Sequence, residues 1–255
     1  MTTEQHRQIE EIIKTSLRNK LKSYKPQTKH MPFHYRLLGQ DRMTLFSFIH
    51  SINKTLGKAF FEPVAETLAS AKFKIAQKQY TLGTEISEKA QIEIHHIINE
   101  ISTGKDPDKK QEIERIREVA NKGKFNKLKT VKADLFLVDE NDNIFMFDLK
   151  TAKPNISNFK DFKRTLLEWV AIYLAKEPNA KINTLIAIPY NPYEPKPYER
   201  WTLKGMLDLE EELKVAEEFW DFLGGENSYQ ELLECFENAG IELREELDEY
   251  FRKFK

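Results

Sequence analysis

Three charged residues lie in or beside two short apolar runs in the middle of the chain. Asp134 lies within the run ADLFLV, Asp148 lies near the end of the run IFMFDL, and Lys150 follows Asp148 by two positions. Side chains alternate across a strand, so Asp148 and Lys150 share a face if the second run is a strand. Pairing of the two runs as a hairpin would bring Asp134 beside them. The spacing therefore predicts two carboxylates and one ammonium group on one side of a sheet.

This combination of groups suits the hydrolysis of a phosphodiester bond. Charges in apolar surroundings cost several kcal/mol per ion unless something compensates them. A divalent cation compensates the two carboxylates, and oxygen ligands with open water positions suit Mg²⁺. Lys150 can then orient or help deprotonate the attacking water and stabilise charge at the phosphorus. The alternative is a buried structural ion pair between Lys150 and one aspartate.

The apolar periodicity predicts the elements that must hold these residues in place. Their order favours an α/β (α+β) fold, with a small mixed sheet flanked by helices and helix-rich N- and C-terminal parts, over a doubly wound parallel sheet. Helices are predicted over 4–22, 43–56, 60–79, 85–103, 111–123, 159–176, 203–223 and 227–254, a hairpin over 133–138 and 144–149, and a further strand over 182–188.

Composition and charge limit the class of protein. With 255 residues, 40% of them hydrophobic, the chain can build a sizeable core, and no window resembles a membrane span or a signal peptide. We therefore expect a cytoplasmic protein. The net charge of −1 is unevenly distributed: residues 1–200 carry 34 basic and 25 acidic side chains, and residues 201–255 carry 6 and 16. A basic body suggests a polyanionic partner, and an acidic tail should face away from it.

Several stretches resemble known nucleases. KADLFLVDENDNIFMFDLK resembles the core of the PD-(D/E)xK superfamily, with Ala-Asp in place of Pro-Asp. PFHYRLLG, SINKTLGKAFFEPVAETLA, DLKTAKPN and ELLECFENAG resemble TdeIII-type type II restriction endonucleases, and the resemblance extends from about residue 30 to the end. It implies a homodimer that cuts duplex DNA at a short palindromic site of the GGNCC kind. It also implies a cognate DNA methyltransferase as a genetic rather than a physical partner.

On this reading residues 1–255 form a single nuclease domain. It would consist of a helical N-terminal part (1–125), a catalytic core sheet (126–200) and an acidic helical C-terminal part (201–255). Asp134 and Asp148 would bind Mg²⁺, and Lys150 would complete the catalytic set. The superfamily often adds an acid from an early helix, for which Glu62 is the first choice; the rivals are Glu66, Glu93 and Glu100.

Basic and polar residues near the two runs are candidates for DNA contacts. Lys132 precedes Asp134, and Lys153 and Asn155 follow Lys150 directly. Asn155 and the neighbouring proline also suit a simple turn. Other lysines and arginines are expected on the polar face of the next helix, where they track DNA or only solubilise the helix: Lys160, Lys163 and Arg164.

Two other functions remain compatible with these residues. The first is a repair or structure-specific nuclease built on the same core. The second is a DNA-binding protein that retains the site without catalysis. Discrete fragments from linear duplex DNA would favour a restriction enzyme over both.

Overall fold

The computed structural model describes residues 1–25, 31–150, 152–155, 158–199 and 203–253, and these fold around one five-stranded sheet. The strands lie side by side in chain order: β1 Ile75–Ser87, β2 Phe125–Val138, β3 Asn143–Leu149, β4 Lys181–Ile188 and β5 Leu213–Val215. The first three strands pair antiparallel, whereas β3, β4 and β5 pair in parallel. The predicted small mixed sheet is confirmed.

Helices cover both faces of this sheet. They are α1 Thr3–Ser23, α2 Pro32–Leu38, α3 Gln40–Asn53, α4 Glu62–Ala69, α5 Glu88–Ser102, α6 Lys109–Arg117, α7 Phe159–Leu174, α8 Glu217–Gly224, α9 Ser228–Glu242 and α10 Arg244–Arg252. One apolar layer joins α5, α6 and α7 to the sheet, and the other joins α1, α4, α8 and α9 to it. Among the described residues, no helix has the length and apolar character needed to cross a membrane.

The apolar runs of β2 and β3 follow from this two-sided burial. Phe136 and Met146 point into the α7 layer, whereas Leu135 and Phe147 point into the α4 and α8 layer. A strand buried on both faces is apolar at nearly every position. Asp148 interrupts that pattern, and it is buried like its neighbours.

The predicted hairpin, the helix over 159–176 and the strand over 182–188 are confirmed as β2–β3, α7 and β4. The helix predicted over 60–79 is wrong in its second half, because α4 ends at Ala69 and β1 begins at Ile75. Pairing with β2 decides this segment, because Ile75 pairs with Val138 and Lys78 with Leu135. Further along β1, a Cβ atom on Gly83 would lie 2.9 Å from Ile172, so the strand also packs closely against α7. The N-terminal part therefore also contributes a strand to the sheet.

The helix predicted over 203–223 is also wrong in its first half. Turns lead into β5 before α8 begins at Glu217. A buried charge cluster accounts for this difference, because Glu212, immediately before β5, is fully buried between two lysines. The Nζ atom of Lys109 lies 2.8 Å from Glu212 Oε1, and that of Lys163 lies 2.6 Å from Glu212 Oε2.

The sequence predicts Lys163 on the polar face of α7, and this prediction is wrong. Its side chain is fully buried and also lies 2.5 Å from Glu112 of α6. The cluster thus connects α6, α7 and the segment before β5. Buried charges are tolerated only when they are paired in this way.

Replacing Lys163 should be strongly destabilising. We expect Lys163→Met to lower the free energy of unfolding by roughly 3–5 kcal/mol, because Glu112 and Glu212 would stay buried without their shared cation. Lys160→Met changes an exposed residue of the same helix and should cost less than about 0.5 kcal/mol. Urea denaturation followed by circular dichroism measures both. Equal stability of the two variants would exclude this role for Lys163.

Candidate active site

The strand register places three polar side chains in one row across the sheet. Lys78 pairs with Leu135 and Tyr80 with Ala133, so Gln79 of β1 lies opposite Asp134 of β2. Leu135 pairs with Phe147, and one further step along this register places Asp134 opposite Asp148 of β3. The structure therefore brings the two predicted aspartates together.

Lys150 completes this group from the end of β3. Its Nζ atom lies 2.7 Å from Asp148 Oδ1 and 4.7 Å from the centre of the Phe162 ring on α7. Its backbone N–H donates to the carbonyl oxygen of Ala187 on β4, at 2.9 Å. The side chain is 28% exposed, so the ammonium group is held in place but still reaches solvent.

Glu62 joins the group from the first turn of α4. It is only 3% exposed, and its Oε2 atom accepts a hydrogen bond from the side-chain amide of Gln79 at 2.8 Å. The same amide donates to Asp134 Oδ1 at 3.0 Å, and the N–H of Leu149 donates to Asp134 Oδ2 at 3.0 Å. One amide thus connects Glu62 with Asp134.

Burial and mutual repulsion make it costly for these carboxyl groups to be charged. Burial raises the pKa of Asp148 to about 6; the adjacent Lys150 works against this rise and Asp134 adds to it. Burial also raises the pKa of Glu62, where the hydrogen bond from Gln79 opposes the shift and the charge of Asp134 increases it. The site therefore concentrates more negative charge than Lys150 alone offsets.

The donor set fits a hard divalent cation held by few protein ligands. In the described part of the chain, no three His, Cys, Asp or Glu side chains form a ready cage for a metal ion. Asp134 and Asp148, however, lie opposite each other and interact directly. Magnesium is commonly held by one or two carboxylates together with water and phosphate oxygens.

A cleft of about 530 Å³ opens above these residues. Its lining includes the candidates Glu62, Asp134, Lys150 and Lys153. Asp148 is buried beside Lys150 and does not line the cleft, and Lys132 and Asn155 are exposed elsewhere on the surface. The remaining lining residues are Asn53, Lys54, Leu56, Gly57, Lys58, Phe61, Leu149, Ala152, Pro189, Tyr190 and Pro192. Among the described residues, the acidic C-terminal part contributes nothing to this lining, as expected from its charge.

Three polar residues of the site were not identified from the sequence. Gln79 lies in the segment 60–79, which the sequence predicts as a helix. A helix there gives no reason to expect Gln79 opposite Asp134. Lys54 and Lys58 flank the cleft next to a π-helical turn, Gly57–Phe61. Such turns recur at functional sites. The first 60 residues carry 11 basic and 4 acidic side chains, and this excess was the signal available in the sequence.

The mixed sheet, with an acid-x-Lys strand paired to a second acidic strand, defines a restriction-endonuclease-like fold. The model of the HinfI type II restriction endonuclease family matches residues 1–240, and the chain belongs to this family.

Curated relatives agree with this assignment. The type II restriction enzyme MjaII of Methanocaldococcus jannaschii is 28% identical over 221 residues, which cover 81% of this chain and 58% of that protein. HgiEI of Herpetosiphon aurantiacus is 26% identical over 82% of this chain and 77% of its own length. HgiCII of the same organism is 26% identical over 85% of this chain and 80% of its own length.

Removing the buried charge of Asp148 should stabilise the fold. The folded pKa of about 6 exceeds the usual 3.8, so the native state binds more protons than the unfolded state between these pH values, and stability falls as the pH rises through this range. We expect Asp148→Asn to gain roughly 1–3 kcal/mol above pH 6 and nothing near pH 4. Thermal denaturation across this pH range measures the gain. Asp106→Asn, at an exposed position, is the control, and an equal gain there would contradict the explanation.

Proposed function

We propose that this chain is a Mg²⁺-dependent endonuclease that hydrolyses phosphodiester bonds at a short palindromic site in duplex DNA. The observation that carries the proposal is the convergence of Asp134, Asp148 and Lys150: Asp134 and Lys150 line a cleft flanked by lysines, and Asp148 is buried directly beside them. Membership of the HinfI family supports it. Among type II restriction enzymes the substrate is double-stranded DNA, which the basic lining of this cleft suits.

In this proposal Asp134 and Asp148 hold the metal. A bound Mg²⁺ would supply electrostatic stabilisation of the phosphate and offset the negative charge of the two carboxylates. Asp134 is oriented for this role by Leu149 N–H and by Gln79. Asp148 is oriented by the ammonium group of Lys150.

Lys150 is the proposed partner of the attacking water. Its ammonium group reaches the cleft while Asp148 and the Phe162 ring restrict its position. It can therefore hold a water molecule by hydrogen bonding and stabilise the charge that develops on the phosphoryl oxygens. Glu62 is the proposed third acid, and it acts on Asp134 through their shared hydrogen bonds to Gln79.

Contacts to the DNA backbone are assigned to Lys153, Lys132 and Asn155. Lys153 has the strongest support, because it lines the cleft and its Nζ atom lies 4.6 Å from the centre of the Tyr193 ring. Lys132 and Asn155 are exposed outside the cleft and would meet more distant phosphates.

We further propose a recognition sequence of the GGNCC kind, action in the cytoplasm and a cognate methyltransferase that protects host DNA. Residues 1–255 would act as one nuclease domain.

Substitutions at the metal ligands and the lysine should separate catalysis from binding. We expect Asp134→Asn and Lys150→Met to reduce plasmid cleavage in Mg²⁺ at least about a hundredfold while leaving the fold intact, because each removes a charge that acts on the reacting phosphate. EDTA should abolish wild-type cleavage, and added Mg²⁺ should restore it. Lys181→Met, at the exposed far end of β4, is the matched control.

The same digests distinguish the competing functions. Discrete fragments whose sequenced ends share one short palindrome support a restriction enzyme. Cleavage confined to branched or damaged DNA would instead indicate a repair nuclease. Wild-type rates in either site variant would exclude the proposed mechanism.

We also propose a homodimer, which a palindromic site suits. Large apolar side chains are exposed on α2 and α3, including Phe33 at 83% and Leu37 at 81%. Monomeric proteins rarely expose apolar patches of this kind, and a second copy of the chain would cover this one. We expect light scattering to give twice the chain mass, and Phe33→Asp with Leu37→Asp to give the monomer. A monomeric wild-type protein would contradict this proposal.

A further inference from the structure

A second polar pocket lies next to the cleft, between the end of α1 and one face of α3. Its volume is about 280 Å³. The lining consists of Lys20, Ser23, Tyr24, Lys25, Ser47, His50, Ser51 and Lys54. Ser47, Ser51 and Lys54 recur at helical spacing along α3, so they form one stripe, and Ser47 Oγ accepts a hydrogen bond from the Tyr24 hydroxyl at 2.6 Å.

This pocket, which we call the lysine pocket, is lined by positive and neutral groups. Among the described residues, its lining includes three lysines, one histidine and three serine hydroxyls, and no carboxylate. Among the described residues, Lys20, Lys25 and Lys54 form no ion pair with an acidic side chain, whereas Lys14 and Arg18 of the same α1 helix pair with Glu242 and Glu246.

Helix ends explain only part of this concentration of charge. Lys20 lies in the last turn of α1 and Lys54 caps the end of α3, where cations offset the partial negative charge of the helix dipole. Each helix end corresponds to about half an elementary charge, so two ends do not neutralise three lysines. The pocket keeps a net positive charge that an external anion can satisfy.

The lysine pocket is continuous with the candidate active site. Lys54 lines both the pocket and the cleft, and the cleft continues to Lys58 and Lys153. The five lysines Lys20, Lys25, Lys54, Lys58 and Lys153 thus form one basic track that leads from the acidic site to the end of α1. Duplex DNA presents a regular row of phosphates that such a track can follow.

We infer that the lysine pocket binds backbone phosphates of duplex DNA to one side of the phosphate that is cleaved, so that the footprint of the enzyme extends past the cleft. The inference rests on the proposed function and adds a surface to it. Lysine and serine contacts to phosphates carry no base information. Lys20 and Lys25 are therefore positioning residues, which strengthen binding equally for all sequences and leave the chemical step unchanged.

The test compares the Lys20→Ala, Lys25→Ala double variant with the wild type. Fluorescence anisotropy with labelled duplex DNA in Ca²⁺ buffer gives the dissociation constant at several salt concentrations. We expect the slope of log K against log salt to become shallower by roughly 2, because each lost phosphate contact removes about 0.9. Affinity should fall by a similar factor for duplexes with and without the recognition site, and cleavage in Mg²⁺ should show a raised KM with an unchanged kcat.

A matched control and a second readout keep the outcomes distinct. Lys89→Ala with Lys122→Ala removes two exposed lysines around α5, on the opposite side of the sheet, and should leave the slope unchanged. An unchanged slope in the Lys20 and Lys25 variant would overturn the inference while leaving the nuclease proposal intact. A wild-type protein that neither binds nor cuts duplex DNA would overturn both. Circular dichroism of each variant confirms that the fold is retained.

Discussion

Two carboxylates held side by side at the end of an apolar sheet are the constraint on which this structure depends. Asp134 and Asp148 face each other because β2 and β3 pair in one register, and a shift of β3 by one residue would turn Asp148 to the opposite face of the sheet. Burial raises the pKa of Asp148, and the charge of Asp134 adds to this rise. The surroundings compensate locally, with Lys150 beside Asp148 and the amide of Gln79 between Asp134 and Glu62. The fold thus maintains a site that is unfavourable for its own stability.

The sequence was informative where a local pattern determines the structure. The β2–β3 hairpin and the grouping of Asp134 with Asp148 and Lys150 follow from strand periodicity and a short turn. It was not informative where distant packing decides. Gln79 lies in β1, a strand that forms only because β2 is there to pair with it and α7 to cover it. Likewise, Lys163 is buried because two glutamates far away in the chain surround it.

The charge asymmetry of the sequence has a counterpart within the fold. The acidic C-terminal helices pack near α1, where Glu242 pairs with Lys14 and Glu246 with Arg18. Much of the basic charge of α1 is therefore neutralised by these ion pairs. Lys20, which lines the lysine pocket, lies in the last turn of the helix beside the cleft. A total charge of −1 is thus compatible with a basic surface over the site, since the acids are segregated from it.

Two neighbouring residues of helix α7 have separate structural roles. Phe162 lies under the ammonium group of Lys150, and Lys163 anchors the buried charge cluster. Successive residues of a helix differ by about 100° in direction, so an insertion or deletion within α7 ahead of these positions would turn both side chains away from their partners. Over evolutionary time, changes in chain length should therefore accumulate in surface loops outside the β2–β3 hairpin, while the length of α7 stays fixed.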